Sequence, residues 1–99
     1  MVIEPKKQEL RRHPRLRVSW PAIVEAGSRL LHVETVDVSP FGAKVRLDER
    51  LEEGTLATLH LRPPDGKPLD IQAIVWRTDE DGPAFFFIEP VPTVVEQPQ

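Results

Sequence analysis

The sequence has no cysteine, no long apolar run and few aromatic residues, and each shortage excludes a class of protein. Without cysteine the chain has neither disulfides nor thiolate metal ligands, and three scattered histidines are a poor basis for a metal centre. No apolar stretch is long enough for a membrane span, and the charged N-terminus lacks the apolar region of a signal peptide. We therefore expect a cytoplasmic protein that does not bind a membrane, a metal or another cofactor.

The charge is unevenly distributed along a chain of 99 residues, a length that suits one domain. Residues 1–17 contain six basic and two acidic side chains, a net charge of +4, whereas the remainder contains seven basic and fourteen acidic side chains, a net charge of −7. A basic arm on an acidic body indicates a local anion site, because a long nucleic-acid footprint usually makes a whole domain basic.

Alternating apolar and polar residues predict six short β-strands separated by turn signals. There is no room for the helices that would connect parallel strands, so the pattern predicts an all-β, six-stranded antiparallel barrel. We assign residues 1–14 to a flexible basic arm, residues 15–90 to the barrel and residues 91–99 to a Pro-rich tail. The predicted strands cover residues 16–24, 29–38, 43–47, 55–62, 69–77 and 84–88.

Several positions depart from simple alternation. Pro21 indicates an edge or a bulge in the first strand, and a shift from odd to even apolar positions places a bulge near Glu34 and Thr35 in the second. The polar connection 49–54 has room for one helical turn. We expect Trp76 in the core. The run 85–87 is expected to contribute to the core and close the barrel, although Phe85 and Phe87 cannot point the same way as Phe86 and can cover an exposed patch.

Two segments carry clustered functional groups, and the first is the arginine-rich stretch before the barrel. Arg11, Arg12 and Arg15 lie within five residues, and Pro14 favours an extended chain there. In an extended chain Arg11 and Arg15 face the same side. Each guanidinium can bind a phosphate, or the O6/N7 edge of guanine, through two parallel hydrogen bonds.

The second segment is the turn from Asp37 to Gly42. An ionised Asp37 accepts hydrogen bonds and suits the N1–H and exocyclic amine of guanine, and Ser39 can donate or accept beside it. Gly42 permits a positive φ or a close backbone approach. Together the two segments predict a guanine-nucleotide site, although separately they would more often be a solvated basic arm and an ordinary polar turn.

The two motifs together resemble the paired signature of PilZ domains, bacterial receptors for cyclic di-GMP. Arg11-x-x-x-Arg15 matches the first motif and Asp37-x-Ser39-x-x-Gly42 the second, and the later strands also fit over residues 9–90. The resemblance implies that Arg11 and Arg15 bind phosphates and guanine edges, that Asp37 and Ser39 engage a guanine, and that Gly42 shapes the turn. Arg12 and Trp76 are secondary candidates for ligand contact.

The resemblance implies a cyclic di-GMP receptor whose basic arm becomes ordered on binding and so changes the surface shown to a protein partner. Two alternatives remain at this point: a PilZ-like protein–protein adaptor without a nucleotide, and a small nucleic-acid-binding barrel. An enzyme is not expected, since a Ser-His-Asp arrangement has no supporting nucleophile motif here.

Overall fold

A computed structural model of the chain describes residues 15–91, which form a closed barrel of six antiparallel strands. The strands are β1 (Pro21–Ala26), β2 (Arg29–Ser39), β3 (Gly42–Arg46), β4 (Leu56–Leu61), β5 (Leu69–Thr78) and β6 (Pro83–Phe87). Their order around the barrel is β1-β2-β3-β6-β5-β4, and pairing of β1 with β4 closes it. The predicted fold class is confirmed. Residues 15–91 contain no helix that could cross a membrane.

The core lies inside the barrel and is built from the inward-facing half of each strand. Alternation places small and branched apolar side chains inward, and burial of this surface is the main favourable contribution to folding. Phe85 and Phe87 are buried at 3% and 2% exposure, whereas Phe86 between them is 51% exposed. The two faces of the Phe run are therefore separated as predicted. The core residues are Ala22, Val24, Ala26, Val33, Val38, Ala43, Val45, Leu51, Ala57, Leu59, Leu61, Ile71, Ala73, Val75, Phe85 and Phe87.

The first strand begins at Pro21, not at Leu16 as predicted. Residues 16–20, which we call the strap, instead run alongside β2. Leu16 forms an isolated antiparallel bridge with Val38, and Thr35 N–H donates to Trp20 C=O at 2.9 Å. Between these two contacts the strap advances by four residues, from Leu16 to Trp20, whereas β2 advances by only three, from Thr35 to Val38. This mismatch interrupts the ladder of backbone hydrogen bonds. Pro21 therefore stands at the start of a strand, and the prediction of an edge is wrong because β1 has neighbours on both sides.

The predicted bulge in β2 is present, slightly later than the sequence indicated. Thr35 pairs with Val45 and Asp37 pairs with Lys44, so Val36 is the extra residue. This insertion changes which face successive residues occupy. Thr35 and Val38 both point into the barrel, and Asp37 is therefore on the outside.

Two further expectations are wrong. Trp76 does not lie in the core: it is 64% exposed, at a second register shift between Val75 and Arg77. Val75 already occupies the inward face, so its neighbour must point outward. The connection 49–54 has no helical turn; it is anchored by buried Leu51 and turns at Gly54, whose φ is 87°.

Candidate functional site

The turn between β2 and β3 is held by the hydroxyl of Ser39. Ser39 and Gly42 are paired residues at the end of the hairpin. Phe41 N–H donates to Ser39 Oγ at 3.2 Å, and Ser39 Oγ donates to Gly42 C=O at 3.4 Å. Ser39 is 9% exposed. Its hydroxyl therefore stabilises the turn from within, as serine side chains commonly do.

Gly42 is required by a close approach between strands. It is not among the glycines with positive φ, but a Cβ built on it would lie 2.3 Å from Phe85 C=O on β6. No real Cβ tolerates such a distance from backbone. Of the two reasons that the sequence offered for this glycine, the structure therefore supports the close approach.

The strap brings Arg15 to the side of β2 that carries Asp37. Leu16 N–H donates to Val38 C=O at 2.7 Å, and Val38 N–H donates to Leu16 C=O at 2.9 Å. Arg15 and Asp37, each adjacent to this bridge, form an ion pair with Nη1 and Oδ2 3.7 Å apart. The strap thereby brings together two residues that are 22 positions apart in sequence.

The two members of this ion pair differ in their exposure. The Arg15 side chain is 67% exposed, whereas that of Asp37 is 17% exposed. The separation of 3.7 Å is within ion-pair range but longer than an N–H···O hydrogen bond. The guanidinium therefore extends into solvent with donor capacity for an anion, beside a carboxylate that is fixed on the barrel wall.

A row of charges continues from Asp37 across the outside of β3. Lys44 is the direct partner of Asp37 in the ladder, and its Nζ lies 2.9 Å from Asp79 Oδ2. Arg77 Nε approaches the same carboxylate at 3.3 Å. The hydrogen bond from Lys44 lowers the pKa of Asp79. An open groove of about 630 Å³ lies beside these charges and is lined by Lys44, Arg50, Thr78, Asp79, Glu80 and Asp81.

An exposed aromatic pair flanks the site on the other side of Gly42. The rings of Trp76 and Phe86 are tilted by 39° with centroids 6.0 Å apart, and Phe86 is the ladder partner of Gly42. Phe86 is also the ladder partner of Ile74, and Ile74 is that of Leu56, which is 60% exposed, so a row of apolar residues crosses neighbouring strands here. Phe86 was not singled out as a site residue, although the alternation of Phe85 and Phe87 inward already places it outside.

The remaining candidates are Arg11 and Arg12, which lie outside residues 15–91. Of the five residues in the two motifs and the two secondary candidates, the structure brings Arg15, Asp37, Ser39 and Gly42 together, with Trp76 one aromatic ring away. Within residues 15–91 no group of three or more histidine, cysteine or carboxylate side chains could hold a metal ion.

Comparison with known proteins identifies a family and a similar fold. The PilZ domain family matches residues 9–95. Among solved structures, the chain is similar to the PilZ domain of CeSA from a cellulose-synthesizing bacterium, with 24% sequence identity and a TM-score of 0.62. That similarity covers 75% of this chain and 79% of the other, and it concerns the fold. No curated protein has significant sequence similarity to the chain.

The family match includes both motifs and all six strands, and the similar structure shares the barrel. PilZ domains form a family of ligand-binding and adaptor domains that generally bind cyclic di-GMP and are not catalytic. The strap, the Ser39 turn and the close approach at Gly42 explain how this sequence places Arg15 beside the second motif on the outside of the barrel. The chain belongs to the PilZ domain family.

Proposed function

We propose that this domain is a receptor for cyclic di-GMP and has no catalytic activity. The observation that carries the proposal is the ion pair between Arg15 and Asp37 on the outside of the barrel. A guanidinium that reaches into solvent and a carboxylate held beside it are complementary to the acceptor and donor edges of guanine. A guanine nucleotide with phosphates supplies all of these edges in one molecule.

Each residue has a separate role in this proposal. Arg15 donates to a phosphate or to O6/N7 of a guanine, and Asp37 accepts from guanine N1–H and its exocyclic amine. Ser39 keeps the turn in shape through its hydrogen bonds to Phe41 and Gly42, a role that its burial favours over extensive ligand contact. Gly42 allows β3 to approach β6.

The arginines before the strap complete the proposed site. Arg11 and Arg12 precede Arg15 by only four and three positions, so a ligand at Asp37 is within reach of all three side chains. We propose that the nucleotide fixes residues 1–14 against the barrel and thereby changes the surface offered to a protein partner. Trp76 is a secondary contact, since its exposed ring can stack on a base.

Calorimetric titration of the full chain with cyclic di-GMP tests the proposal, with GTP and cyclic AMP as control ligands. We expect saturable binding of cyclic di-GMP and at least tenfold weaker binding of both controls, because neither control offers two guanines and two phosphodiesters. The titration also gives the number of ligands per chain. No heat of binding, together with no change in melting temperature at high ligand concentration, would contradict the proposal.

A protein–protein adaptor is the second candidate. The exposed pair of Trp76 and Phe86, continued by Leu56 at 60% exposure, is the observation that favours it. Large exposed apolar side chains that adjoin one another commonly mark contact surfaces. Under this alternative the domain would bind its partner equally well with and without cyclic di-GMP, and Arg15→Ala would leave partner binding unchanged.

A further inference from the structure

A buried hydroxyl fastens the strap to β2 on the inner side of the site. Thr35 is 1% exposed and lies beside the extra residue of the bulge. Its Oγ1 accepts a hydrogen bond from Trp20 N–H at 2.9 Å and donates to Val18 C=O. Its own N–H donates to Trp20 C=O. One threonine therefore satisfies three backbone groups of the strap.

The contacts of Thr35 and the bridge at Leu16 determine where the chain emerges next to Asp37. Thr35 and Val38 lie on either side of Asp37 in β2, and they hold the strap at Val18, Trp20 and Leu16. Arg15 directly precedes the last of these contacts. Strand β2 thus carries Asp37 and also the two residues that attach the strap, Thr35 and Val38. The strap in turn presents Arg15.

We propose that Thr35 is a positioning residue for the ligand site: through the strap it fixes Arg15 opposite Asp37 in the free protein. The inference rests on the proposed cyclic di-GMP function and extends it to a residue that does not touch the ligand. A valine at this position has nearly the same shape but cannot bond to Trp20 N–H or Val18 C=O, so both would lose their partner. The strap would then occupy the attached position for a smaller fraction of the time.

The apparent affinity for a ligand falls in proportion to the population of the binding-competent state. We expect Thr35→Val to weaken binding of cyclic di-GMP about tenfold, which corresponds to an attached population of roughly one tenth. Thr35→Ser, which retains the hydroxyl, should bind within about twofold of the unaltered protein. Calorimetry on the full chain at a temperature where circular dichroism shows each variant to be folded gives both values.

A merely structural role for Thr35 is distinguished by two further measurements. Ile71→Val, a conservative truncation in the core on β5, lowers stability without touching the strap and should leave affinity unchanged. In an Arg15→Ala background, the effect of Thr35→Val should shrink from about tenfold to threefold or less, because residues coupled through one contact are not additive. An undiminished tenfold loss in that background would overturn the proposal.

Other outcomes are equally decisive. Equal affinity of Thr35→Val and the unaltered protein would overturn the role of Thr35 while leaving the receptor function intact, whereas failure of the unaltered protein to bind would refute the proposed function itself. If Thr35→Val does not fold, Leu16→Pro replaces it, since proline removes the N–H that bonds to Val38 C=O at the other attachment. Unchanged affinity in Leu16→Pro would overturn positioning by the strap.

Discussion

At the scale of the residue, the site depends on a few side chains that are held by backbone contacts. Arg15 projects into solvent, but the next residue is bonded to β2 in both directions, so the base of the side chain is fixed. A fixed base matters because a mobile segment would lose backbone entropy, in addition to side-chain rotamer entropy, when it binds. Arg15 therefore needs to order only its own side chain to contact an anion.

Arg15→Ala should weaken cyclic di-GMP binding by about ten- to a hundredfold, because a bidentate Arg–guanine contact contributes roughly 1–3 kcal/mol. Calorimetry of the full chain measures the change. Arg62→Ala is the matched control, since this exposed arginine directly follows β4, a strand that does not pair with β2. Equal affinities for Arg15→Ala and Arg62→Ala would show that Arg15 does not contact the ligand.

Gly42→Ala should lower the free energy of unfolding by about 1–3 kcal/mol, as overpacking does elsewhere. The added Cβ would meet Phe85 C=O, which is backbone and can yield only if β3 and β6 separate. Gly66→Ala is the control, because its Cβ would be 3.4 Å from the Pro63 side chain and no positive φ is imposed there. Urea denaturation compares the two; similar stabilities would mean that β3 readily shifts.

Trp76→Ala should change the free energy of unfolding by less than about 0.5 kcal/mol, the usual range for exposed side chains. Its ring contributes little to the core at 64% exposure. If Trp76 lies beside the bound nucleotide, its fluorescence in a Trp20→Phe protein should change on titration with cyclic di-GMP and saturate with the calorimetric affinity. Fluorescence that stays constant at saturation would remove Trp76 from the ligand site.

At the scale of the element, a histidine links three neighbouring strands on the outside of the barrel. His60 on β4 lies between Glu25 on β1 and Asp70 on β5: Nε2 is 2.9 Å from Glu25 Oε1 and Nδ1 is 2.7 Å from Asp70 Oδ1. Hydrogen bonds from the His60 ring to the carboxylate of Glu25, and to a smaller extent to that of Asp70, raise the pKa of His60 above its ordinary value of 6.5. Protonated imidazole can donate to both carboxylates at once, whereas neutral imidazole can donate to only one.

A raised pKa in the folded state means that protonated His60 stabilises the barrel at low pH. The contribution is fully present below pH 6.5, the ordinary value, and is lost as the pH rises through the higher pKa of the folded protein. We expect His60→Gln to lose about 0.5 kcal/mol more stability at pH 5.5 than at pH 8.5. Urea denaturation at the two pH values measures the difference.

The same pair of measurements in a Glu25→Gln/Asp70→Asn background provides the control. Without the two carboxylates, the effect of His60→Gln should lose most of its pH dependence. A larger loss of stability at pH 8.5 than at pH 5.5 in the unaltered background would contradict the assigned role of His60.

The strands could be predicted from sequence because period-two alternation reports the inward face directly. The starting point of β1 could not be predicted, because Leu16 and Trp20 continue the alternation. The ladder is interrupted because the strap has one more residue than the segment of β2 that lies opposite it. The apolar ring of Trp76 predicts burial, but the residue faces outward because it directly follows Val75, which is buried on the inner face. Thr35 was not recognised because its partners lie 15 and 17 residues away.

The proposed site residues follow from the sequence, whereas the contacts that support them do not. Residue type and spacing single out Arg15, Asp37, Ser39 and Gly42, and in the structure Arg15 forms an ion pair with Asp37 and Ser39 pairs with Gly42. Their spacing does not reveal that Ser39 bonds within its own turn, that Gly42 faces the backbone of β6, or that a threonine fastens the strap. Such contacts depend on which strands become neighbours, and β3 meets β6 only in the closed barrel.

At the scale of the whole molecule, residues 15–91 contain all six strands of the closed barrel and a buried core. Among the residues that the structure describes, the core lies within residues 22–87, and the partly buried apolar side chains packed against it lie within residues 18–91. We propose that Arg11 and Arg12 belong to the ligand site. Removal of the residues before Arg15 therefore tests stability and affinity separately.

Removal of residues 1–14 should leave a folded barrel but weaken cyclic di-GMP binding by at least about tenfold, since Arg11 and Arg12 are lost. Circular dichroism melting and calorimetry give the two results. Removal of residues 96–99, which lie beyond the region matched by the PilZ family, should change neither. Full affinity in the protein lacking residues 1–14 would restrict the site to the barrel and the strap.

Both ends of the described chain meet at the same hairpin. Leu16 is bonded to Val38 on one flank of the turn, and Val91 N–H donates to Pro40 C=O within it at 2.7 Å. Any polypeptide joined after Val91 therefore starts next to the hairpin whose residues we propose bind the nucleotide. A fluorescent protein fused there, with residues 1–14 retained, is expected to report ligand occupancy, which makes this small barrel a candidate scaffold for a second-messenger sensor.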